Sequence, residues 1–314
     1  MRPKRLTVSF LLLTMIAAGT PSRSLSQEKK PGLEHQISVS AIAISVTVQD
    51  KSGKYINDLA REDFAVYENN AEQSITYFKH EFDAPISLTA LLDVSGSMEL
   101  QEKLRESKEA LRYLLTVLLS PRDEASLLIF ADGEVEVAAR FSTDKGGFLS
   151  ELDKMEAYGQ TALNDAVAVS PEFANQGKNE KRAILLITDG IENDSRLTPD
   201  QAVEIARRVD VPIFTVGYKI PLSEQFLKEY KRSSSLTSAG IVSALERFSR
   251  ATGGRIFIAN RPSELAAALR EIKNELSHQY IIGYTSYKNL KNEYREIRVV
   301  VPKKKYRVRT REGY

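Results

Sequence analysis

The sequence predicts an α/β fold, an open, mostly parallel sheet with helices on both faces, together with a small β-sandwich domain formed by N- and C-terminal segments. Three observations carry that prediction. Between Pro85 and His278, apolar strand-like runs alternate with amphipathic helical stretches, as in a parallel sheet whose crossover helices cover both faces. Before Pro85 and after His278, apolar residues fall at every second position, the period of half-buried strands. The 314 residues, 42% of them hydrophobic, supply enough core for one large domain or for a large and a small one.

In chain order, residues 1–5 carry three positive charges, residues 6–18 form an apolar run, and small residues follow. That is the order of a secretory signal, so 1–26 is expected to be a leader cleaved after Ser26, and the run is shorter than the roughly 20 residues a spanning helix needs. Residues 42–48 read as a strand with large side chains on one face; 64–70 and 73–78 read as two more around an Asn-Asn turn. These make 37–82 the N-terminal part of the β domain. From 85 to 278 the α/β block opens with strand 86–92 and helix 99–119, whose Leu104, Leu111, Leu115 and Leu118 share one stripe that Pro121 ends. Residues 125–130 and 135–141 pair across Asp132-Gly133. Then come helix 162–173, strand 183–188, helix 199–209, strand 213–217, strand 255–259 and helix 263–276, with 218–240 as a long polar connection containing three consecutive serines. Strands at 280–284, 297–301 and 306–309 make 279–314 the C-terminal part of the β domain, since chain ends often lie together.

Composition excludes several functions. There is no cysteine, hence no disulfide, no thiol nucleophile and no Cys-ligated zinc or iron–sulfur cluster. Without residues 1–26 the chain has 40 basic residues against 42 acidic ones, so no nucleic-acid partner is expected. No Gly-x-Gly-x-x-Gly or phosphate-binding Gly-Lys-Ser/Thr string is present.

The chemistry concentrates at three loops. Strand 86–92 runs into Asp93-Val-Ser95-Gly96-Ser97, whose alternating oxygens can face one side while Gly96 permits a tight turn. Taken alone, the string also suits a helix cap. Thr161 lies in a loop before the next helix, where it also reads as an N-cap, and Thr188-Asp189-Gly190 ends a buried strand, where it also reads as a turn. All three fall at the same strand ends, where open α/β sheets bind ligands. Glu192, Asn193 and Asp194 read as solvated rim residues.

Together these motifs, over residues 85–278, resemble the von Willebrand factor type A (VWA) domain and its metal-ion-dependent adhesion site, which uses Asp-x-Ser-x-Ser, a loop Thr and a Thr-Asp-Gly aspartate in this order. The resemblance implies that Asp93, Ser95, Ser97, Thr161 and Asp189 hold a divalent metal, with the hydroxyls coordinating directly and the aspartates acting largely through water. These are hard oxygen donors, suited to Mg²⁺ first, or to Mn²⁺ or Ca²⁺. It further implies recognition rather than catalysis: a protein partner supplies a carboxylate to the ion. The flanking β segments, Val48–Tyr67 and Gln279–Tyr284, resemble a bacterial secreted VWA-related group, so an exported protein, periplasmic or extracellular, is expected.

Two other functions compete. A strand-terminal Asp suggests a Mg-dependent phosphohydrolase of haloacid-dehalogenase type, but that family has a second aspartate where Ser95 stands, and the general acid is missing. A metal-independent envelope scaffold is the other, since 279–314 hold ten Lys or Arg against three Glu. Such basic strands suit peripheral contact with an anionic envelope surface, or simply discourage edge pairing.

Overall fold

The computed structural model describes residues 37–80, 84–221, 237–289, 293–302 and 305–314. The leader expected at 1–26, Ser233–Ser235, Lys303 and Lys304 lie outside the described residues.

Both chain ends build one apolar core between two small sheets. Strands β1 (Ile37–Gln49), β2 (Ala65–Glu68), β3 (Ala71–Gln73) and β4 (Ile75–Lys79) come from the N-terminal side. The C-terminal side returns β11 (Gln279–Asn289), β12 (Ile297–Val300) and β13 (Arg307–Arg309). They order as β13-β1-β11-β4 and β12-β2-β3. Alternation explains the packing: Ile42, Ile44, Val46 and Val48 of β1 point the same way and meet Val66, Tyr280, Ile282 and Val299 in a shared core. The continuous strand expected at 73–78 is instead two strands in different sheets, β3 pairing with β2 and β4 with β11. Ser74 is where the chain crosses between the layers.

The central sheet comprises β5 (Ile86–Asp93), β6 (Glu124–Ala131), β7 (Glu134–Ser142), β8 (Lys181–Thr188), β9 (Ile213–Tyr218) and β10 (Ile256–Ala259), in the order β10-β9-β8-β5-β6-β7. Only β7 is antiparallel, folded back on β6 through Asp132 and Gly133, both at positive φ (48° and 69°) as a two-residue hairpin turn demands. All eight residues of β5 and of β6 are buried, because helices cover both faces. Helices α1 (Lys103–Tyr113), α2 (Lys145–Lys154), α3 (Leu163–Ala174), α4 (Pro199–Ala206), α5 (Ser238–Thr252) and α6 (Pro262–Ser277) divide between the faces. One face joins Leu104 and Leu111 to Leu152, Leu265 and Leu269; the other joins Leu163 and Val167 to Ala202, Ile241 and Phe248.

Two departures from the expected helices have physical causes. The helix expected at 99–119 begins only at Lys103. Residues Gly96–Glu102 form tight 3₁₀ turns, and Gln101 and Glu102 sit at φ 54° and 58°, a left-handed pair that no helix can continue through. The last turn, Leu114–Leu118, is π-helical. Helices α2 and α5 have no counterpart in the expected order. Gly146-Gly147 obscures the first, although its N-cap Asp144 accepts from the Gly146 N–H at 2.9 Å. The second was partly assigned to the 218–240 connection; Thr237 caps its start and Gly253, at φ 87°, its end.

Candidate functional site

Strand order places the site. From β5 the sheet extends through β6 on one side and through β8 on the other, so the loops after β5 and β8 leave in opposite directions and open a crevice at their carboxyl ends. Asp93 is the last residue of β5 and Asp189 the first after β8. Backbone bonds then stitch the loops together. Tyr158 N donates to Val94 O at 2.8 Å and Gly96 N to Gly159 O at 3.0 Å, which ties the loop holding Thr161 to the one holding the serines, and Asp132 N donates to Gln160 O at 2.8 Å, which ties it to the β6–β7 turn. Asn193 N and Asp194 N both donate to Thr161 O, at 3.2 and 3.0 Å, which ties Thr161 to the Asp189 loop.

Glycine is required at two of these joints. Gly159 has φ +68°, and a Cβ there would fall 2.1 Å from Oδ1 of Asp132, the atom that accepts from Gln160 N. Gly190 has φ +76°, and its Cβ would fall 2.3 Å from Cγ2 of Ile241.

The structure brings all five expected residues to this crevice and buries them; Ser97, the most exposed, shows 4% of its surface. Asp93 accepts from Ser95 N through Oδ1 (2.9 Å) and from the Thr188 hydroxyl through Oδ2 (2.6 Å). The Ser95 and Ser97 hydroxyls lie 3.2 Å apart. Asp189 accepts from Ile191 N at 3.0 Å through Oδ1, and Oδ2 takes the Lys103 ammonium at 2.5 Å. Burial, and then the negative charge of Asp189, push the Asp93 carboxyl up to about 7. A cation set between the two carboxylates relieves that repulsion.

Four residues beyond the five expected donors take part. Thr188 orients Asp93 and also accepts from Gly190 N at 2.9 Å, so one hydroxyl fixes both the carboxylate and the turn after β8. Asn193 is no mere rim residue: its Oδ1 accepts from Thr161 N at 2.8 Å. Glu192 likewise holds the loop, accepting from Ser195 N at 2.8 Å and Asn164 N at 3.1 Å. Lys103, 1% exposed, is the fourth. Its signal in the sequence is faint, a lysine at the head of the buried stripe that continues through Ser107, Ala110 and Leu114.

Residues 88–192 match the family model of the von Willebrand factor type A domain. Over those residues the α/β block carries a VWA domain. A Borreliella burgdorferi protein described as uncharacterized is 26% identical over 206 residues, 61% of this chain and 59% of its own length, so the chain spans less than two thirds of that relative. Among solved structures, a von Willebrand factor type A protein from Catenulispora acidiphila aligns with TM-score 0.49 at 15% identity, over 77% of this chain and half of its own. The vWF domain of a type V pili tip protein from Porphyromonas gingivalis aligns with TM-score 0.47 at 13% identity, over 60% of this chain and 94% of its own. Likenesses this distant say nothing about function.

The donor set of this VWA domain fits a hard divalent ion. Two carboxylates and three hydroxyls are all oxygen donors, gathered by loops locked to one another. Among the described residues no group of three or more His, Cys, Asp or Glu side chains is arranged for a metal. Nor, among the described residues, is any helix long and apolar enough to cross a membrane.

Proposed function

We propose that this protein binds another protein through a divalent ion, Mg²⁺ in the first instance, held by Asp93, Ser95, Ser97, Thr161 and Asp189, and that it acts outside the cytoplasm. The observation that supports this reading is the meeting of the Asp93 and Asp189 carboxylates with the Ser95 and Ser97 hydroxyls, beside a Thr161 loop bonded to both neighbouring loops, at the crevice where strand order reverses. When bound, the ion supplies a Lewis-acidic position for a carboxylate of the partner.

The chain's own residues prepare that position. Ser95, Ser97 and Thr161 are neutral donors, so they bind the ion without quenching its charge. Asp93 and Asp189 each keep one oxygen on a backbone N–H, which fixes their direction before anything binds. The same bonds argue against hydrolysis: both oxygens of Asp93 are engaged, by Ser95 N and by Thr188, which blunts it as a nucleophile. His80 and His278 are occupied elsewhere, stacked on Tyr280 and Tyr55.

Calorimetric titration of the metal-stripped protein with Mg²⁺ and Mn²⁺, repeated with a small carboxylate present, tests the reading. Binding that is lost in Asp93→Ala and Asp189→Ala, and strengthened by the carboxylate, is expected. Equal ion affinity in wild type and both variants refutes the assignment.

A further inference from the structure

The geometry points to Lys103 as a resident cation of this site, an ammonium that competes with the divalent ion for Asp189 and keeps the metal-free crevice paired and closed. The inference rests on the proposed metal-binding role of the five donors and adds a regulator to it.

Four observations carry it. The Lys103 Nζ lies 2.5 Å from Asp189 Oδ2, with the two side chains 1% and 0% exposed, and lysines are almost never buried to this degree unless paired. Lys103 is the first residue of α1, where the helix dipole is positive and disfavours a cation. Its position there is held by the carboxylate, against the helix. The two residues before it, Gln101 and Glu102, adopt left-handed φ values of 54° and 58° without being glycine. Such strain is sustained only where the surroundings over-determine it, and here the kink sets the head of α1 over the crevice. Finally, with Lys103 in place none of the five expected donors exposes more than 4% of its surface.

Electrostatics gives the consequence. With both carboxylates ionised, one ammonium leaves the metal-free site with a net charge of −1, whereas the carboxylates alone would carry −2. Lys103 therefore removes half of the charge that attracts a divalent ion, and it occupies the oxygen such an ion needs relieved of a proton donor. Loading requires the ammonium to leave Asp189, which pulls on the kink at 101–102 and on the first turn of α1. Ion binding and the conformation of that turn are thereby one equilibrium. A carboxylate arriving from the partner helps to balance the positive charge that accumulates when the ion and Lys103 share the crevice, so the pair favours loading in the presence of partner over loading alone.

The experiment compares full-length wild type with Lys103→Met, Lys103→Arg and Asp189→Ala by calorimetric titration with Mg²⁺, and follows amide hydrogen exchange at 101–104 in wild type with and without the ion. Lys103→Met is expected to bind Mg²⁺ about tenfold or more tightly than wild type. Lys103→Arg keeps the cation and stays near wild type. In wild type, Mg²⁺ should change protection at 101–104. Equal affinity in wild type and Lys103→Met, with Asp189→Ala still abolishing binding, overturns the role of Lys103 while leaving the metal site standing. Absence of binding in both wild type and Lys103→Met overturns both readings. Should Lys103→Met fail to fold, the exchange measurement decides: ion-bound wild type with unaltered protection at 101–104 overturns the proposal.

Discussion

Replacing Thr188 by Val tests whether one buried hydroxyl holds the metal-free site together. The two side chains have nearly the same shape, so the change removes polar contacts and little packing. In the folded protein the Thr188 hydroxyl donates to Asp93 Oδ2 at 2.6 Å and accepts from Gly190 N at 2.9 Å, and Thr188 has no exposed surface. A hydrogen bond to a charged group contributes about 1.5–3 kcal/mol, and a buried N–H left without a partner costs about 1–3 kcal/mol. The added methyl returns about 1 kcal/mol through burial. The expected net loss is about 3 kcal/mol, which in a domain of this size lowers the melting temperature by about 6–12 °C. Thr89→Val is the internal control. Thr89 is also fully buried in the same sheet, but its hydroxyl meets only that of Ser126, at 2.9 Å, so its loss is expected to cost about 1 kcal/mol, or about 2–4 °C. Thermal unfolding followed by far-ultraviolet circular dichroism suits a chain without tryptophan. If Thr188→Val melts no lower than Thr89→Val, the reasoning about Asp93 is wrong, because it makes the charged acceptor and the Gly190 turn responsible for the difference.

Two further outcomes are expected. Gly159→Ala puts a Cβ at φ +68° and 2.1 Å from the Asp132 carboxylate, so it should destabilise the protein by about 2 kcal/mol or more and weaken Mg²⁺ binding by displacing Thr161; calorimetric affinity unchanged from wild type would detach that loop from the site. His80 is held below its ordinary value of 6.5 by burial first, then by the positive charges of Lys181 and His278. The unfolded chain therefore takes up the proton first, so the contribution of His80 to stability is complete above about pH 6.5 and is lost as pH falls through and below it. The melting-temperature difference between wild type and His80→Phe should shrink on acidification over that range, and parallel curves would remove His80 from the pH response.

Much of the architecture was legible from periodicity. The strands at 86–92, 183–188 and 213–217 are mostly apolar and wholly buried because both faces of a parallel sheet are covered, and the two ends of the chain alternate because their sheets have one buried face. Asp93, Ser95 and Ser97 could be read directly, since a loop of alternating oxygens is a local feature. The hidden helices were hidden for local reasons too: two adjacent glycines open the first turn of α2, and α5 follows a polar connection that gives its start no contrast.

What the sequence determined by itself is therefore the period of each segment and the chemical type of the side chains at the strand ends: a parallel α/β block between two stretches of alternating strand, with carboxylates and hydroxyls where the strands end. Only the tertiary structure decided how those oxygens are partnered. Lys103 reaches Asp189 across 86 residues, and Asn193 holds Thr161 across 32. The first depends on β5 lying beside β8 and on a left-handed kink at 101–102 that helix propensity gives no reason to expect. The physical reason is that periodicity records which face of an element is buried, whereas the pairing of polar groups depends on distances fixed by strand order, and those arise only when the sheet is assembled.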